Sequence, residues 1–236
     1  MKLAFRLLHA LKLCFRRPPF RGAAPLFRLW AAILPPLFLL CSCGLSERPY
    51  PLVRSYTLDL PADGYQSGSF EKKPKAVLLV TSSPPPAAYD GKKLVYKLKA
   101  HELSPDFYNE FYAPPARAVA DGLALYLDQN SPALQIARYQ GASGPDYSLE
   151  VGITDFYGDY SVDPPLLRLS VTVTLNDLKP AVPRVLFSSR YVRSPELKAL
   201  PDEDRPENLV RQMSETLSAV YPEILKDLEK TLNVRR

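Results

Sequence analysis

The chain has 236 residues, 46% of them hydrophobic, and a formal charge of +5, which is enough for one ordinary domain plus a leader at a normal globular composition. Its cysteines are Cys14, Cys41 and Cys43 and its histidines His9 and His101, so beyond residue 43 an internal disulfide and a Cys-ligated zinc are excluded, and a His-bearing triad would have to use His101. Residues 1–42 hold seven cations and no acid, against 23 basic and 25 acidic residues in the rest; the basicity belongs to the leader, and the balance gives no support for a nucleic-acid partner.

Residues 29–42, LWAAILPPLFLLCS, form the longest strongly apolar run. It is shorter than the about 20 residues of a spanning helix. It has the length of a signal-peptide core, behind a cationic start. The run ends Leu40-Cys41-Ser42-Cys43, which resembles the bacterial lipobox: an aliphatic residue at −3, a small one at −1 and Cys at +1. The expectation is a cleaved lipoprotein signal peptide over 1–42, cut between Ser42 and Cys43. Cys43 then carries a covalent diacylglycerol and an acyl chain, and Cys41 leaves with the leader. A Cys41–Cys43 disulfide would close a very tight ring, and an uncleaved anchor would be short. A mitochondrial transit peptide explains the cationic start but not the ending. Gly44 at +2 is not the Asp that signals inner-membrane retention, so the default destination is the periplasmic face of the outer membrane in a Gram-negative-type bacterium.

Residues 43–53 read as a lipidated tether and 54–236 as one domain. RSYTLDLPA (54–62) has strand alternation, and 63–75 reads as a loop. Lys72, Lys73 and Lys75 in that loop read as solvated charge. AVLLV (76–80) suits a buried strand, ended by Pro84 to Pro86, and LVYKLKA (94–100) a third strand. The spacing of Val119, Leu123 and Leu127 predicts a helix over 114–129, started by Pro114 and Pro115, with Gly122 packed closely on a sheet.

A short strand follows at 133–139. Residues 146–160 and 166–177 alternate cleanly with period two and predict an antiparallel pair with one solvated face, continued by 184–194. Leu209, Met213, Leu217, Val220, Ile224, Leu228 and Leu232 predict a helix from Arg205 to Val234, capped by Asp204 and kinked or split at Pro222. The predicted fold class is α+β: a mostly antiparallel sheet with two helices packed on one face.

The sequence holds no nucleotide-binding loop, no HExxH and no GxSxG. His101 with Glu102 and Asp106 could be imagined as a metal site but reads as exposed polar residues after a strand. Asp155, Asp159 and Asp163 are imaginable as hydrolase carboxylates but read as solvation of a Gly-containing loop. Phe107, Tyr108, Phe111 and Tyr112 cluster before the first helix, either as a staple into the core or as a partner-facing patch.

Several stretches together resemble the ABC-type transport auxiliary lipoprotein family. They are the lipobox at Cys43 and, across 54–232, YTLDLP, AVLLVTSSPPPAAYDGKKLVYKL, FYNEFYAPPARAVADGLALYL, YSLEVGITDFYGD, LSVTVTLND and the closing helix. The resemblance implies a non-enzymatic outer-membrane lipoprotein without a cofactor, auxiliary to an ABC-type intermembrane phospholipid transport system. Its implied partner is that system's mammalian-cell-entry-type lipid-binding subunit, and self-association into a homo-oligomer is left open. The competing readings are another envelope-assembly lipoprotein, such as the plug-like partner of a lipopolysaccharide-export barrel, and a periplasmic hydrolase.

Overall fold

The computed structural model describes residues 52–60, 75–137, 144–198 and 204–233. The leader, Ser42, Cys43 and the tether up to residue 51 lie outside them, as do Lys72 and Lys73. In chain order the elements are β1 (Arg54–Tyr56), β2 (Ala76–Ser82), β3 (Lys93–Lys99), β4 (Glu102–Phe111), α1 (Pro115–Asn130), β5 (Leu134–Ala137), β6 (Tyr147–Asp159), β7 (Leu166–Asp177), β8 (Arg184–Arg193) and α2 (Arg205–Leu232).

The strands form one eight-stranded sheet around β6. One edge of β6 pairs along its length with β7, which pairs in turn with β8, both antiparallel. The other edge of β6 is shared. Its first half runs parallel to β2, and its last two residues run parallel to β3. β5 adds to β2 in parallel, β4 adds to β3 antiparallel, and β1 adds to β4 in parallel. The α+β class holds, but the expectation of a mostly antiparallel sheet does not: the sheet is mixed, with parallel pairings for β1–β4, β2–β5, β2–β6 and β3–β6. Period-two alternation reports which face of a strand is buried and says nothing of its direction. Direction is set here by the connection through α1, which returns the chain to pair β5 and β6 with β2 in the same sense.

Both helices cover one face. Val119, Leu123 and Leu127 of α1, and Leu209, Met213 and Leu217 of α2, are fully buried against the inward side chains of β6 and β7, among them Leu149, Val151, Ile153, Leu169, Val171 and Val173. The alternate side chains of β6 to β8 make the polar open face, where Thr154 bonds Ser170 and Thr174 bonds Ser188. Tyr221 of α2 donates to the carbonyl of Val119 at 3.0 Å and packs its ring 5.8 Å from Tyr126, locking helix to helix. Tyr191 of β8 donates to Asp227 at 2.7 Å, tying α2 to the far strand.

Three local expectations are corrected. β1 ends at Tyr56 rather than near 62, because the next residues leave the sheet: the Asp59 N–H bonds the Ser214 hydroxyl of α2 at 3.0 Å, and Leu60 drops onto α1. Gly122 is therefore small for Leu60 and Tyr221, not for the sheet. A Cβ there would lie 2.0 Å from the end of Leu60 and 3.0 Å from the Tyr221 hydroxyl. Finally, Pro222 does not split α2, which runs unbroken to Leu232. Buried residues on both sides of it, Leu217, Val220, Ile224 and Leu228, hold the two halves on one core. The predicted cap is present: Asp204 accepts from the Glu207 N–H at 3.1 Å and also pairs with Arg54 of β1.

Candidate functional site

β4 is the element that the sequence pattern hides, and it carries the aromatic cluster. Its pairing with β3 jumps from Lys93–Glu110 to Val95–Pro105, so β4 loops out between those pairs. Asp106 organises the excursion. Its carboxylate accepts from the backbone N–H groups of Tyr108 at 2.8 Å and Asn109 at 3.0 Å, from the Asn109 amide at 2.9 Å and from the Tyr96 hydroxyl at 3.1 Å. Tyr56 of β1 donates to Asn109 at 3.3 Å and closes the network from the neighbouring strand. A bulge of this kind re-aims side chains, and here it displays Phe107 and Tyr108, 74% and 53% exposed. Tyr112, at the end of the strand, is 71% exposed beneath the Lys92 ammonium.

The cluster therefore divides. Phe111 is 3% exposed, with its ring centroid 5.7 Å from that of Phe156 in β6. It is a core residue and no part of any contact surface, because Phe111 sits past the bulge, where β4 has rejoined β3 and its side chain points under the sheet. Phe107 and Tyr108 are presented by the excursion that Asp106 ties down, and Tyr112 is exposed just past the end of β4.

Partial burial of Asp106 alone would raise its pKa. The hydrogen bonds from Tyr108, Asn109 and Tyr96 outweigh that and hold the carboxyl below the usual carboxylate range. The ionised form is thus the one the fold stabilises. Its contribution is complete above the ordinary carboxylate pKa and is lost as pH falls through the depressed value. Asp106→Ala is expected to destabilise the protein by about 1–3 kcal/mol, since it orphans part-buried donors, and to flatten the fall in stability on acidification. Urea unfolding of both proteins across the acid range measures this, and an unchanged acid limb would contradict it.

The candidate hydrolase carboxylates separate as well. Asp163 is exposed on the loop between β6 and β7. Asp155 and Asp159 both line a shallow pocket of about 240 Å³ on the open face, but each faces cations. Asp155 accepts from Arg190 at 2.7 Å. Asp159 is 1% exposed and accepts from the Ser161 N–H and hydroxyl and from Arg168, with the Lys97 ammonium 3.8 Å away. Burial opposes its charge, yet Ser161, Arg168 and Lys97 prevail and keep its pKa low. A glycosidase acid needs the opposite shift. His101 and Glu102 stand exposed at the β3–β4 turn, Asp106 is fully engaged above, and among the described residues no three His, Cys, Asp or Glu gather as a metal site. No described helix is long and apolar enough to cross a membrane.

A family model, ABC-type transport auxiliary lipoprotein component, matches residues 56–224, from the end of β1 into α2. The chain belongs to that family. Its match takes in the whole sheet from β2 to β8, the β4 bulge and α1. The fold is similar to the crystal structure of an uncharacterized protein (TM-score 0.57, 16% identity, covering 75% of this chain and 99% of that one). It is also similar to that of protein XCC0632 from Xanthomonas campestris (TM-score 0.56, 16% identity, covering 78% and 95%). At these identities the likeness is one of fold alone. No curated protein sequence matches the chain. Family membership carries a lipoprotein's membrane-anchored place in the envelope and an association with an ABC transport system.

Proposed function

We propose that the protein is a non-catalytic outer-membrane lipoprotein, anchored through lipid on Cys43, that assists an ABC-type intermembrane lipid transport system by contact with its mammalian-cell-entry-type lipid-binding subunit. The single observation that carries this reading is the display of Phe107 and Tyr108 on an ordered bulge in a member of a transport-auxiliary family. Rigid aromatics lose little entropy on docking and are enriched among interface anchors. A solvent-exposed pair fixed by four hydrogen bonds is built for that use, whereas a core staple would be buried.

Double substitution of Phe107→Ser and Tyr108→Ser is expected to weaken capture of the lipid-binding subunit by roughly tenfold or more, about 1.4 kcal/mol. Fold stability should change by less than about 0.5 kcal/mol, as for other exposed positions. Affinity purification from envelopes alongside urea unfolding reads both, and undiminished capture would contradict the contact surface. Substituting His101 and Asp155 together should leave the membrane-barrier phenotype of a complemented deletion unchanged. Loss of that phenotype in a folded, localised protein would favour the hydrolase reading.

A further inference from the structure

The pocket on the open face lies outside the aromatic surface and is a separate feature. Strand register builds it. Lys97 of β3 sits opposite Asp159 of β6, and Tyr157 of β6 sits opposite Arg168 of β7. Ser194, just past β8, and Val192 close the far wall. The buried Asp159 faces two cations, Arg168 and Lys97, so one positive charge is left over. The other charges at the rim are matched, Asp155 by Arg190 and Arg193 by Glu223.

The hydrogen-bond donors are also left over. The Lys97 side chain is only 25% exposed, yet its ammonium has no acceptor within hydrogen-bond distance among the described residues. Arg168 directs Nε to Asp159 and Nη1 to Ser194, both at 3.3 Å, which leaves Nη2 unused. Tyr157 lines the pocket too, and its hydroxyl makes no hydrogen bond to the described residues. A half-buried ammonium, a guanidinium nitrogen and a phenol from three adjacent strands thus line one small space with surplus positive charge.

We infer that this pocket binds a single phosphate group, free or as a phosphodiester, through Lys97, Arg168 and Tyr157. A tetrahedral group presents oxygens in several directions and can meet donors from three strands, whereas a carboxylate presents two oxygens in one plane. The surplus of one positive charge matches a phosphodiester, and the volume of about 240 Å³ admits the phosphate itself while anything attached to it would lie over the open face. Asp159 serves as the buried anchor that keeps Arg168 and Lys97 beside the ligand. This inference does not depend on the contact surface of β4.

The test is an NMR titration of the purified protein with three probes: inorganic phosphate, the deacylated phosphodiester glycerophosphoglycerol, and acetate. Saturable shifts of the Lys97, Tyr157 and Arg168 amides are expected with at least one phosphate probe, and weaker binding of acetate. Tighter binding of the diester points to a lipid headgroup as the source, and equal or tighter binding of inorganic phosphate to the free ion. Lys97→Met leaves Asp159 bonded to Arg168 and Ser161, and should weaken phosphate binding about tenfold, as for loss of one charge-assisted contact. Tyr157→Phe, which removes only an unbonded hydroxyl, should weaken it by a smaller factor and serves as the second variant should Lys97→Met fail to fold. No saturable shift, acetate binding as tight as phosphate, or undiminished binding by the folded variants would overturn the assignment.

Discussion

Replacing Leu123 by alanine should lower the unfolding free energy by about 2–5 kcal/mol. Leu123 is fully buried at the centre of α1, on the stripe with Val119 and Leu127, directly after the glycine that admits Leu60. Its neighbours are held from several sides: Tyr221 bonds the backbone of α1 and the long alternating strands β6 and β7 lie beneath. Such a site collapses poorly around a deletion, so the cavity term adds to the lost burial. Native stability is typically about 5–15 kcal/mol, and the loss is therefore a large share of the whole. Urea unfolding compares the variant with wild type, and a change under about 0.5 kcal/mol would mean that the helix stripe does not face a packed core.

Cys43→Ala should abolish lipid attachment altogether. Each buried methylene of an acyl chain contributes about 0.8 kcal/mol to anchoring, and stable attachment takes more than one chain. A diacylglycerol together with an acyl chain satisfies that, and loss of the thiol removes all of it at once. Labelling with a fatty-acid analogue should mark wild type and leave the variant blank. Equal labelling of the two would contradict lipidation at Cys43.

What could be read in advance follows from which physical signals are local. The stripes of α1 and α2 and the alternation of β6 and β7 are direct imprints of burial on sequence. Their residues, from Val119 to Leu127, Leu209 to Leu228 and Leu149 to Leu175, fall on the buried face as expected. β4 left no such imprint. Pro105 and the Asp106–Asn109 excursion break its alternation, and the strand is defined by its partners β3 and β1 rather than by its own pattern. The same excursion decides the candidate site. Four aromatics within six residues are legible as a cluster, but it takes the bulge to expose Phe107 and Tyr108, while Phe111 and Tyr112 beyond it take opposite sides of the chain, one buried and one exposed. One signal was available: Asp106 and Asn109 flanking the Phe-Tyr pair are residues whose side chains bond nearby backbone. Gly122 and Pro222 show the converse limit. Each reads correctly as a local exception, yet its consequence depends on Leu60, Tyr221 and the packing around α2, all distant in sequence. The pocket residues Lys97, Tyr157, Asp159 and Arg168 are brought together by strand register alone.

The most direct test of the central claim is photo-crosslinking in intact envelopes, with the crosslinking side chain placed at Phe107 or Tyr108 and, as a control, at Asp128 on the exposed side of α1. A crosslink is expected from Phe107 and Tyr108, and none from Asp128, to the mammalian-cell-entry-type lipid-binding subunit of an ABC transport system. Capture of that subunit from Asp128 but not from the bulge, or its absence from all three positions in a folded, membrane-anchored protein, would contradict it.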